Sequence, residues 1–278
     1  MNEAIFKKYN VPVPRYTSYP TANQFEEFSA EQYLKAVEAS NNATADNISF
    51  YIHVPFCQHL CHYCGCNSVA MAKSERIEAY FVALHKEIDL LLPHLRKDRK
   101  ISQIHYGGGS PSSMPLTHIR ALNEHLLSAF DTIDQPEIAI ECHPGYLKME
   151  DWQYLLDSRF NRFSLGIQDF DDEVLHAVNR HPSLLPVADI IEVLRSGGAR
   201  VNFDFIYGLP RQTVEKFVAT IEAAIALRPD RLVTFSYAHL PSLFKRQTLL
   251  EKEGLPPQDE KLKMFECAAQ RLEAAGYC

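Results

Sequence analysis

Short runs rich in β-branched and aromatic residues alternate along this chain with longer amphipathic stretches, and that alternation limits its fold more than any other feature. Parallel strands need a crossover connection, usually a helix that packs back over the sheet, so repeated strand–helix units build a mainly parallel α/β sheet. The runs predict strands over 48–54, 101–106, 137–141, 162–166, 201–206 and 231–236. Helical periodicity predicts helices near 74–92, 116–130, 150–158, 171–178, 186–195 and 213–227, which makes about six βα units. Polar and Gly-rich residues recur where successive strands end: a cysteine loop, then Gly107 to Ser110, Glu141, Gln168, Tyr207 with Gly208, and His239. Barrels collect their active sites on that face, so the expectation is a partial (β/α)6 TIM-like barrel rather than a doubly wound sheet.

At 278 residues the chain can bury a sizeable core. No uninterrupted apolar stretch has the length of a membrane span, and the first ten residues carry Glu3, Lys7 and Lys8 with no apolar run after them, so no membrane partner and a cytoplasmic location are expected. A net charge of -7 argues against nucleic acid as a partner, because phosphate binding needs clustered Lys and Arg. The one basic run, 96–100, follows a predicted helix and reads as a solvated helix terminus.

Of seven cysteines, four fall in Cys57-x3-Cys61-x2-Cys64-x-Cys66. Soft thiolates select iron–sulfur clusters, zinc or Cu(I). Structural zinc usually draws on two ligand pairs from separate segments, and here all four candidates share one loop. The scattered Cys142, Cys267 and Cys278 read as buried or incidental thiols. In His105-Tyr-Gly-Gly-Gly-Ser-Pro111 consecutive glycines would let backbone approach a ligand, although a plain tight turn is the simpler use. Glu141 and Gln168 could hold hydroxyl groups in one mouth or be ordinary hydrogen-bonded polar residues. Arg180 could grip a carboxylate bidentately or form a surface ion pair. Asp204 lies in an apolar strand, where a charge should be paired or functional.

The x3–x2 spacing, the aromatic Tyr63 before the third cysteine and the following Gly-rich turn resemble the radical S-adenosylmethionine superfamily. Arg15-Tyr-Thr-Ser-Tyr-Pro-Thr21, Tyr51-Ile-His-Val-Pro-Phe-Cys57, Cys64-Gly-Cys-Asn67, Gln168-Asp-Phe170, Asp204-Phe-Ile-Tyr-Gly-Leu-Pro210 and Tyr237-Ala-His-Leu-Pro241 narrow the resemblance to the oxygen-independent coproporphyrinogen III oxidases. That resemblance implies Cys57, Cys61 and Cys64 as ligands of a [4Fe-4S] cluster, with Cys66 a nearby thiol that binds no iron. It further implies Tyr51, Tyr63, Gly108, Gly109, Ser110, Glu141, Gln168, Arg180, Asp204 and Ala238 as S-adenosylmethionine contacts, shared between two molecules of that cofactor. The implied reaction starts with a 5′-deoxyadenosyl radical and converts coproporphyrinogen III propionates to vinyl groups, giving protoporphyrinogen IX in heme biosynthesis. A monomeric enzyme served by a separate, unidentified electron donor would suit it.

Two departures stand out. Glu141 is followed by Cys-His-Pro-Gly145 where the family commonly has an acidic residue and an Arg, which puts the local loop contacts in doubt. Family members also continue well beyond the length seen here, and the amphipathic 259–275 stretch, with Leu262, Phe265, Ala269 and Leu272 on one side, would ordinarily lead into another strand. The expected organisation is therefore an extension over 1–46, a core barrel over 47–245 and the helical start of a further region over 246–278, with weak turnover if that region is missing. Within the extension, the proline-spaced segment around Arg15 and Tyr19 reads as a strap across the barrel or a cover for a ligand. A heme chaperone of the same superfamily, a cluster-dependent heme-opening methyltransferase and a structural zinc protein are the alternatives.

Overall fold

The computed structural model of the protein describes residues 24–42 and 46–278, together with Ile5, Lys8 and Thr21. Arg15 and Tyr19 of the expected strap lie outside the described residues. In chain order the elements are α1 (Ala30–Ser40), β1 (Asn47–Val54), β2 (Phe56–Cys57), β3 (Val69–Ala70), α2 (Ser74–Leu91), β4 (Lys100–Gly108), α3 (Leu116–Ala129) and β5 (Thr132–Cys142). There follow α4 (Met149–Asp157), β6 (Arg162–Gln168), α5 (Asp172–Ala177), α6 (Val187–Ser196), β7 (Arg200–Tyr207), α7 (Val214–Leu227), β8 (Arg231–Ser236), α8 (Thr248–Glu251) and α9 (Gln258–Ala274).

Six strands pair in parallel in the order β1-β4-β5-β6-β7-β8. A doubly wound sheet reverses its strand order at a switch point. Here every new strand joins on the same side of its predecessor, which is barrel progression, and the sheet stays open between β1 and β8 among the described residues.

Strand alternation sorts the side chains onto two faces. Ile101, Ile104, Tyr106, Ile138, Ile140, Phe163, Leu165, Val201 and Phe203 are buried in one core with Ile119 and Leu122 of α3, Trp152 of α4, Ile190 of α6 and Phe217 of α7. Each such side chain contributes roughly 1.5–3 kcal/mol through burial, so the helices are held on by the strands' outer face. The opposite parity is polar: Gln103 Nε2 donates to Glu137 Oε1 at 2.6 Å, Arg162 pairs with Glu137 at 3.1 Å, and Ser164 donates to Asp204 Oδ2 at 2.7 Å. An ordinary TIM barrel fills its interior with branched apolar side chains. This lumen is instead lined with hydrogen-bonding groups.

The expected strands and barrel helices lie where the pattern places them, apart from end shifts, and β5 begins earlier, at Thr132. Helix α1 is an addition, closed at its start by a capping box in which Ser29 and Gln32 exchange hydrogen bonds. The basic run is not simply a solvated terminus. Arg96 does pair with Asp46 and Asp98 at the surface, but Arg99 is buried, donating to Asn47 O at 2.8 Å and to Ser40 Oγ at 3.1 Å, and so ties α1 to the start of β1. Helix α9 packs on α7 and β7, with Arg271 and Glu222 paired at 3.1 Å. Met264 and Ala268 are its buried residues, the expected Leu272 packs against the same core, and Phe265 stays exposed while its ring meets Tyr207 at 6.1 Å. Among the described residues no helix is long and apolar enough to cross a membrane.

Candidate active site

The cysteine loop leaves the sheet at Val54 and is closed at its base by pairing of β2 with β3, through Val69 N to Pro55 O and Met71 N to Cys57 O, both 2.8 Å. A loop of this length without regular structure needs other partners for its backbone. His62 N donates to Val178 O at 3.0 Å, Asn179 Nδ2 to Leu60 O at 3.0 Å, and the buried Gln247 Nε2 to Tyr63 O at 2.9 Å. Phe244 lies against Gly65, where an added Cβ would meet its ring at 3.0 Å. The loop is thus fixed by residues drawn from across the chain.

The Gly-rich turn lies beside it. Gly109 N donates to Val54 O at 2.8 Å and Ser110 N to Phe56 O at 3.0 Å, which brings two backbone segments nearly into contact. A Cβ on Gly109 would lie 2.5 Å from Pro55 O, so only glycine permits that approach. Gly108 has φ +113, in the region that favours glycine, and its N–H donates to Glu141 Oε2 at 3.3 Å.

Cys57, Cys61, Cys64, Tyr63, Gly108, Gly109 and Ser110 line one cavity with Glu141, Gln168, Arg180 and Asp204. Cys66 shares it. Tyr51 and Ala238 do not line it. Tyr51 is exposed beside it, stacked on His105 at 5.8 Å, and together with Glu141 crowds the space over Gly107. The Ala238 carbonyl accepts from the same Gln247 amide that holds Tyr63, at 3.2 Å, which couples the end of β8 to the cysteine loop.

Electrostatically the cavity mixes buried charge with directed donors. Arg180 is buried rather than paired at the surface; its guanidinium reaches Cys61 Sγ at 3.5 Å and Tyr63 Oη at 3.3 Å and donates to Gly166 O. Burial alone would lower its pKa, but the Tyr63 and Cys61 groups beside it push the net direction up. Asp204 meets hydroxyl and amide donors, Ser164 Oγ at 2.7 Å and Asn202 Nδ2 at 2.9 Å, and burial holds its carboxyl above the usual range. Burial with the neighbouring Cys64 and Cys61 raises the Cys57 thiol to about 11, whereas hydrogen bonding to Cys66 lowers Cys64 to about 6.

Several further residues of this cavity escape the sequence reading, among them His59, His143 and Tyr146. Tyr146 and His59 Nδ1 are hydrogen-bonded at 2.8 Å with their rings stacked at 6.0 Å, and His143 packs tilted against Tyr146 at 4.4 Å. The departure at Cys142-His-Pro-Gly145 therefore has a structural counterpart, a histidine–tyrosine stack closing the loop between Cys57 and Cys61. His143 follows a strand that ends at the mouth, which is the positional signal that marks it.

The donor set fits a multi-iron cluster better than one ion. Three thiols lining one cavity, a cationic Arg180 beside Cys61 and a glycine-lined backbone cradle suit an anionic body held by several thiolates.

Comparison with known proteins agrees with this geometry. Residues 51–224 match the radical SAM superfamily. The chain is 38% identical over 277 residues to the oxygen-independent coproporphyrinogen III oxidase of Pseudomonas aeruginosa, covering 98% of this chain and 60% of that relative. It is 37% identical over 276 residues to the enzyme of the same name from Escherichia coli K12, again covering 60% of the relative. The solved structure of coproporphyrinogen III oxidase (HemN) from Escherichia coli, described as a radical SAM enzyme, superposes with a TM-score of 0.89 at 35% identity, over 99% of this chain and 62% of that one. Streptococcus suis SuiB bound to S-adenosylmethionine, at 13% identity and a TM-score of 0.55, shares the fold alone. This chain belongs to the radical SAM superfamily.

Proposed function

We propose, from that membership, that the chain forms the cluster- and S-adenosylmethionine-binding barrel of an oxygen-independent coproporphyrinogen III oxidase. The observation that carries this reading is the single cavity in which the three spaced cysteines of one loop meet the Gly-rich turn and the polar side chains Glu141, Gln168 and Asp204 of β5, β6 and β7. Cys57, Cys61 and Cys64 would hold a [4Fe-4S] cluster. Gly108, Gly109 and Ser110 would offer backbone polar groups to the amino end of S-adenosylmethionine, and Arg180 a planar fork for its carboxylate. Glu141, Gln168 and Asp204 would hold hydroxyls, and Tyr63 would give an aromatic face. Tyr51 and Ala238, at the rim, would reach a second molecule of the cofactor.

Cluster and cofactor, when bound, supply one-electron hydrogen abstraction from a propionate side chain of coproporphyrinogen III. The chain's own part is placement. Arg180 and the tied cysteine loop fix where the reacting groups sit, and the cluster of His59, His143 and Tyr146 walls off one side of the cavity. We further propose that the protein works as a cytoplasmic monomer with a separate electron donor.

Anaerobic reconstitution with iron and sulfide tests the reading. A broad charge-transfer absorbance, S-adenosylmethionine binding and 5′-deoxyadenosine after reduction are expected. A single zinc ion held by the loop, with no cofactor binding, overturns it. Assays with coproporphyrinogen and with heme separate an oxidase from a heme chaperone or a heme-opening enzyme.

A further inference from the structure

Gln168, the last residue of β6, has φ +69, a left-handed conformation that residues with a Cβ adopt only at some energetic expense. The register between β6 and β7 slips at this point: Gly166 faces Asp204, and the next pair is Gln168 with Phe205, so two residues of β6 stand against one of β7. Such a bulge re-aims a side chain. Here it sends the Gln168 side chain into the cavity beside Arg180, both close enough to Gly166 that a Cβ there would meet each of them at 2.9 Å. Strain of this kind persists only where the surroundings over-determine it.

The next residue supplies that constraint. Asp169 is 1% exposed, and its carboxylate accepts from Thr220 Oγ1 of α7 at 2.5 Å, from Gln212 Nε2 at 2.6 Å and from Asp171 N at 2.9 Å. Gln212 is itself saturated, donating to Ile206 O at 2.8 Å and accepting from Leu209 N at 2.8 Å. A buried carboxylate held by neutral donors alone is an expensive way to fill a core, because a well-packed apolar residue would avoid its desolvation. It does, however, lock the peptide that follows Gln168 to both α7 and the turn preceding it.

We infer that Asp169 is a positioning residue, which holds Gln168 in its left-handed conformation so that the amide faces S-adenosylmethionine. The inference rests on the proposed function, in which Gln168 contacts that cofactor. It is tested by a double-mutant cycle on the reconstituted chain, with S-adenosylmethionine affinity from calorimetry as the readout and iron content as the control. Asp169→Asn should weaken binding by about tenfold with iron content unchanged, because Asn turns a donor toward donors and frees the strained residue. In a Gln168→Ala background the same substitution should have almost no further effect, since its route of action is gone.

Equal losses in both backgrounds would mark Asp169 as merely structural and overturn the inference. So would unchanged affinity in Asp169→Asn. If Asp169→Asn does not fold, Thr220→Val, which removes one donor, carries the same cycle with a smaller loss. Failure of the unsubstituted chain to bind the cofactor would overturn the functional reading and the inference together, whereas additive losses in a chain that binds would sink the inference alone.

Discussion

Arg180 and Cys61, 119 residues apart in sequence, meet at 3.5 Å between guanidinium and sulfur. The contact joins the segment after α5 to the middle of the cysteine loop, and the same guanidinium also holds Tyr63 and the β6 carbonyl of Gly166. One planar group therefore ties two sides of the mouth together. Lysine keeps the charge but lacks the fork. Arg180→Lys should destabilise the protein by about 2 kcal/mol, read as a lower denaturation midpoint, because buried acceptors lose charged donors.

The loop thiols should separate into two classes. Cys57→Ala, Cys61→Ala and Cys64→Ala should each abolish the cluster absorbance after reconstitution. Cys66→Ala should retain it, although it removes the hydrogen-bonding neighbour that lowers the Cys64 thiol. Iron and sulfide analysis of the four variants decides this, and loss of iron in Cys66→Ala would move that residue into the ligand set.

Gly109→Ala should be costly in a way that its small size hides. The new methyl would lie 2.5 Å from Pro55 O and 2.6 Å from Pro55 C, and neither backbone atom can swing aside. Overpacking of this sort costs about 1–3 kcal/mol. A drop in melting temperature of several degrees, accompanied by weaker cofactor binding, is expected. An unchanged melting curve would show that the Val54–Pro55 strand end yields more easily than the hydrogen bonds around it imply.

His143 should make stability depend on pH. Burial, helped by Arg180 and His181, lowers its pKa from 6.5 to about 2, so the folded protein keeps it neutral while the unfolded chain protonates it below pH 6.5. The unfolded state then binds the extra proton, so stability is unaffected by this group above pH 6.5 and falls progressively as pH drops from 6.5 toward about 2. The slope approaches about 1.4 kcal/mol per pH unit for one proton. Denaturation at pH 7.5 and 5.5 should show a larger loss for the wild type than for His143→Gln. Parallel losses would assign the acid sensitivity to other groups.

Much of this architecture could be read from the residues alone, for identifiable reasons. The strands repeat a two-residue alternation whose apolar parity packs against helices of 3.6-residue period, so both periods reinforce one another along β4 to β7. The cysteines, the Gly-rich turn, Glu141 and Gln168 stand out because they interrupt that apolar pattern at strand ends, and Asp204 because it interrupts it within β7. Helix α1 has no buried residue and thus no strong apolar stripe; only Ser29 and Gln32 announce it. His59 and Tyr146 lie 87 residues apart, and nothing local in either segment tells that they meet. Arg99 looks like its solvated neighbours in the basic run until α1, a helix without a clear sequence pattern, supplies its partner.

The sheet's failure to close has a consequence for what can enter it. A complete cylinder admits guests only along its axis, and so limits them to its bore. Among the described residues β1 and β8 do not pair, so this sheet keeps two strand edges, and the hydrophilic wall between them runs up to the thiol-bearing bend. Whatever this lumen holds is therefore not limited to the bore of a closed ring of strands.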